Sequence, residues 1–151
     1  MRLEREALAM DNAARRWQSY KQTMVVPANL WGAAKANNIA ELSHLLASGA
    51  EINARDPRGY SALMLAAYAG HYEAFEYLLQ QGADPNSKDS AGNSVLMGAA
   101  FKGQLEMVRQ LLLVGADANA QNHAGLTALD FASQFGRSEV ATLLGERPPQ
   151  A

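Results

Sequence analysis

The chain has 151 residues, 48% of them apolar, no cysteine, and a formal net charge of −2. This is the size of one ordinary domain with enough apolar content to bury a core. The near-neutral charge argues against the basic face that a polyanion binder needs, and the missing thiols exclude disulfides and thiolate metal sites. No run of about 18 apolar residues occurs, so no segment reads as membrane-spanning.

The first predicted element is a helix over residues 2–22. Leu3, Ala7, Met10, Ala14 and Trp17 recur at alternating steps of four and three, while Arg2, Glu4, Arg5, Asp11, Arg15 and Arg16 lie largely off that stripe. Val25, Val26 and Pro27 end it. Residues 1–24 are therefore read as an amphipathic helix that caps the domain, with a partner's groove, a dimer seam or a membrane surface as other uses of the same stripe. The charges spread through MRLEREALAMDNAARRW are unlike the uninterrupted apolar core of a secretory signal. A cytoplasmic location is expected; a leader removed earlier would leave no trace here.

From residue 25 to 147 the sequence repeats. GAEINARDPRG, GADPNSKDSAG and GADANAQNHAG start at Gly49, Gly82 and Gly115, an interval of 33 residues. Ser61, Ser94 and Thr127 share a column, each with a hydroxyl placed to accept from a free N–H in a helix's first turn. Asn37, Gly70, Gly103 and Gly136 form another, suited to a left-handed helix stop. Small pairs lie between cap and stop: Ala33-Ala34, Ala66-Ala67, Ala99-Ala100 and Ala132-Ser133. A second helix then carries a bulky stripe: Leu42, Leu45 and Leu46; Phe75, Leu78 and Leu79; Val108, Leu111 and Leu112. Such a unit cannot bury its apolar side alone, so copies must stack. In the last copy Ser138 and Ala141 replace larger residues, and Gly145, Pro148 and Pro149 end the helix, which reads as a polar closing cap before a tail at 148–151.

The segments DPRGYSALMLAAYAGHYEAFEYLLQQGADPNSK and DSAGNSVLMGAAFKGQLEMVRQLLLVGADANAQ resemble ankyrin repeats, in their Gly-(Ser/Thr)-x-Leu, Ala-Ala, Gly, Leu-Leu and Gly-Ala-Asp marks. The resemblance covers about residues 28–145 and implies an all-α solenoid of stacked helix-turn-helix units joined by short β-turn or hairpin tips, with repeats near 28–56, 57–89, 90–122 and 123–147. One departure stands out. The family's Thr-Pro-Leu-His appears as Ser61-Ala62-Leu63-Met64, Ser94-Val95-Leu96-Met97 and Thr127-Ala128-Leu129-Asp130, without the histidine that links neighbouring turns. Trp31, Met64 and Met97 in that column are read as packing, and Asp130 as a substitute for the histidine's hydrogen bonding.

No catalytic constellation emerges. His44, His71 and His123 are unpaired at helical spacing, and His71 stands where the family commonly has Gly-His, so it reads as structural. The segment from Asp84 to Asp89 fails as a calcium loop. Gly98 to Gly103 has phosphate-loop spacing but lacks the Lys-Ser/Thr that must follow it. No enzyme activity, cofactor, metal, nucleic acid or small-molecule substrate is expected.

What the resemblance implies instead is protein binding by a monomer, through a concave surface of tips and first helices. Carried over column by column, it selects Arg58, Tyr60, Tyr68, Asn93, Phe101, Lys102, His123, Leu126, Gln134 and Phe135. Tyr68 and Phe101 share one column, and Phe135 lies close by in the next repeat. An aromatic row edged by Arg58, Lys102 and His123 suits a partner surface with apolar and acidic elements. An adaptor, scaffold or inhibitor is expected, an immunity protein that neutralises an enzyme or toxin being one specific form. A membrane-surface or assembly role for the N-terminal helix is the alternative.

Overall fold

A computed structural model of the chain describes residues 29–145. The expected helix over residues 1–24 and the tail at 148–151 lie outside the described residues. Within them are eight helices in four hairpins. The first hairpin is α1 (Leu30–Lys35) with α2 (Ile39–Ala47), and the second is α3 (Ala62–Ala69) with α4 (Tyr72–Gln80). The third is α5 (Val95–Lys102) with α6 (Leu105–Leu113), and the fourth is α7 (Ala128–Gln134) with α8 (Ser138–Gly145). Helices α1, α3, α5 and α7 pack in series as one layer; α2, α4, α6 and α8 form the other.

Each first helix starts where its side chain can satisfy an orphan N–H. Ser61 Oγ accepts from the Met64 amide, Ser94 Oγ from the Met97 amide, and Thr127 Oγ1 from the Asp130 amide, each at 3.2 Å. The first hairpin uses Asn29 instead, whose Oδ1 accepts from Gly32. The stops behave as one column: Asn37, Gly70, Gly103 and Gly136 have φ of 55, 77, 73 and 70°. Only glycine and a tolerant asparagine hold that left-handed backbone cheaply.

The small pairs decide how closely the first layer packs. Ala33, Ala34, Ala66, Ala67, Ala99, Ala100 and Ala132 are fully buried, and side chains no larger than a methyl let adjacent helices approach closely. The second layer fills the remaining space with Leu42, Phe75, Leu78, Val108, Leu111 and Val140. Leu45, Leu46 and Leu79 are only partly buried, at the edge of this core. Among the described residues no helix is long and apolar enough to cross a membrane.

The tips between hairpins are tight turns built by one residue type. Asp56 Oδ1 accepts from the Arg58 and Tyr60 amides. Asp89 Oδ1 does so from Ala91 and Asn93, and Asn122 Oδ1 from Ala124 and Leu126. Isolated antiparallel bridges join Arg55 to Ser61 and Lys88 to Ser94.

In the histidine column, Asp130 Oδ2 accepts from the Thr127 amide at 2.9 Å, so its hydrogen bonding closes the cap of its own helix. Trp31 packs against the core, and its indole N–H also donates to the Ala54 carbonyl at 2.9 Å. The repeats are linked by other bonds instead. Asn53 and Asn86 side chains accept from the Asp84 and Asp117 amides at 2.8 Å. His71 Nε2–H donates to the Lys35 carbonyl, and Arg137 Nε–H to the Phe101 carbonyl, both at 2.9 Å. His71 thus holds the end of a preceding helix, a structural duty.

Candidate functional site

The turn at Asp89, the end of α3 and the outer side of α5 converge on one open cleft of about 350 Å³. Tyr60 and Tyr68 form one wall, with ring centroids 5.8 Å apart in an edge-on pair. Phe101 and Phe131 form the other, and Asp89 with Asn93 closes the tip side. Lys102 stands at the opposite edge.

Gly98 makes the floor. It lies in mid-α5, where glycine costs about 1 kcal/mol relative to alanine. The matching positions one repeat away, at the 33-residue interval, are Leu65 and Phe131. A Cβ at Gly98 would overlap the edge of the Tyr68 ring. The glycine therefore lets Tyr68 lean across the next helix, its ring taking the space that a side chain at position 98 would need.

Tyr68 is the electrostatically unusual member. Burial is the main cause that pushes its phenol well above the ordinary 10.0, followed by the negative charge of Asp89 and by Tyr60. The phenol is thus a neutral hydrogen-bonding group at any ordinary pH, in a region that feels the Asp89 carboxylate.

Of the ten residues expected on the binding face, Tyr60, Tyr68, Asn93, Phe101 and Lys102 line this cleft. Phe135 stands beside it, in edge-on contact with Phe101 at 4.7 Å and stacked on Phe131 at 6.5 Å. Arg58 lies behind Tyr60, its guanidinium 5.2 Å from the ring centroid and 3.8 Å from Asp56. The other three lie off it. Leu126 is half-buried in the last tip, and Gln134 is exposed near the end of α7. His123 packs against Gly92, and its amide donates to the Ala91 carbonyl at 3.0 Å.

Of the residues expected to edge the aromatic row, Lys102 lines the cleft, Arg58 lies over Tyr60 with an exposed side chain 3.8 Å from Asp56, and His123 lies off it; the Asp89 carboxylate lines the cleft as well. Sequence reasoning also missed Gly98 and Phe131. The 33-residue column reads Gly32, Leu65, Gly98, Phe131, so glycine alternates there with bulky residues.

The family model described as ankyrin repeats (3 copies) matches residues 30–122 and 89–150. A mitochondrial disaggregase of Bos taurus is 55% identical over 40 residues, which are 26% of this chain and 6% of that protein. Ankyrin repeat domain-containing protein 29 of Danio rerio is 44% identical over 54 residues, 35% of this chain and 18% of that protein. The chain thus spans only a small part of the length of either relative. With its repeat columns, caps and stacked hairpins matched over most of its length, the chain belongs to the ankyrin repeat family.

Proposed function

We propose that the chain is a protein-binding module that docks a specific partner on its tips and first helices, centred on the Tyr68–Phe101 cleft. Ankyrin repeats are generally protein–protein interaction modules and typically non-catalytic. The observation that supports this location is an open aromatic hollow lined by Tyr60, Tyr68, Phe101 and Phe131, in which the helix-weakening Gly98 seats the Tyr68 ring. Phe101 stays 38% exposed and Phe135 47%, although both are large and apolar. Exposed aromatics around a concavity are the usual anchors of an interface. The role fits an adaptor, scaffold or inhibitor, and we assign it to the cytoplasm, in keeping with a cysteine-free composition.

The test is capture from the native host with wild-type protein and a Tyr68→Ala, Phe101→Ala variant shown to be folded. The captured protein is then titrated calorimetrically against both. A loss of at least about 2 kcal/mol in binding is expected for hot-spot aromatics. Full-strength binding to the folded variant rules out this cleft as the docking site.

A further inference from the structure

Among the described residues the charge of Asp89 has no structural task that explains it. The turn it builds is built equally well in the next repeat by Asn122, through the same pair of backbone hydrogen bonds, 2.9 and 3.0 Å, and without a charge. In the preceding repeat Asp56 is answered by Arg58 at 3.8 Å. Asp89 is not: among the described residues the ion pairs are Arg58–Asp56 and Arg109–Glu106. Lys102 borders the same cleft without reaching it. Asp89 Oδ1 is occupied by the two amides, whereas Oδ2 has one long bond of 3.3 Å from Asn93. One carboxylate oxygen thus retains accepting capacity beside a phenol and a set of aromatic rings.

Resting on the protein-binding reading above, we propose that the cleft receives one basic side chain, arginine or lysine, from the partner protein. Its alkyl stem lies along Tyr68, Phe101 and Phe131, and its cationic head meets Asp89. Three physical arguments converge. Aromatic faces attract cations and repel anions through the ring quadrupole. A carboxylate in a partly dry hollow has the complementary charge and is screened less than a surface group. The hollow, about 350 Å³, is at the small end of the range for ligand sites, roughly 300–1,000 Å³, and suits one long side chain. An acidic side chain would meet Asp89 as a like charge.

The experiment is an amide NMR titration of the full chain with N-acetyl-arginine amide and N-acetyl-lysine amide. N-acetyl-norleucine amide and N-acetyl-glutamate amide serve as apolar and anionic controls. Both cations are expected to give saturable shifts at Asn93, Gly98 and Lys102, larger than either control. Asp89→Asn, which keeps the turn as Asn122 does, is expected to weaken them by about fivefold or more while leaving the unfolding midpoint in place. Lys102→Gln is expected to tighten them. Equal binding of norleucine, preference for glutamate, or cation binding unchanged in Asp89→Asn overturns the proposal. If the cations fail while the Tyr68→Ala, Phe101→Ala variant still loses the partner, this inference falls and the protein-binding reading stands. If that variant keeps the partner, both fall.

Discussion

Gly98 and Tyr68 are best understood as a pair. Alanine at 98 would favour the helix by about 1 kcal/mol, but its methyl would occupy space now taken by the Tyr68 ring. Overpacking of this kind typically costs about 1–3 kcal/mol, so Gly98→Ala is expected to be net destabilising in a urea titration. Combined with Tyr68→Ala it should cost less than the two changes added, because the clash is gone. The Tyr68 phenol makes a second prediction. Its proton is held more tightly in the folded chain than in the unfolded one, where it leaves near 10.0. Stability from this source is complete below that pH and is lost as pH rises above it toward the folded value. Between about pH 10 and 11.5, the unfolding free energy of wild type should therefore fall more steeply than that of Tyr68→Phe.

At the scale of elements, the helices are stopped and started by locally determined residues, which is why they could be read. A hydroxyl before an apolar run and a glycine or asparagine after it specify a cap whatever surrounds them, as Ser94 and Gly103 do around α5. Ser94→Ala is expected to cost about 1 kcal/mol, measured by chemical unfolding. What local chemistry does not determine was read less well. Asp130 was read as a substitute for the histidine's hydrogen bonding, and its carboxylate accepts from the Thr127 amide within its own turn. Arg58 was read as an edge of the aromatic row, and its position over the Tyr60 ring, 3.8 Å from Asp56, depends on contacts that a column does not contain. The cleft itself depends on Tyr68 in α3 leaning over Gly98 in α5, two positions in different columns of the repeat. No comparison within one column contains that relation, and Gly32 in the same column means that a glycine there does not by itself mark the place.

For the whole molecule, the stack follows from units that bury their apolar sides only against neighbours. Leu111 is fully buried in the second layer of the third repeat, and Leu111→Ala is expected to cost about 2–5 kcal/mol, read by thermal or urea unfolding. In the proposed reading the tips and first helices receive a partner, and the cleft is where that face is hollow. The claim is tested most directly by displacing the Tyr68 ring that walls the hollow. Gly98→Leu puts the side chain that the preceding repeat carries at Leu65 into the space the Tyr68 ring now takes, and its affinity for the captured partner is compared with wild type by calorimetry, with circular dichroism showing that the variant is folded. We predict binding at least about tenfold weaker, the loss of one anchoring contact of about 1.4 kcal/mol or more; a folded Gly98→Leu protein that binds with wild-type affinity contradicts the account.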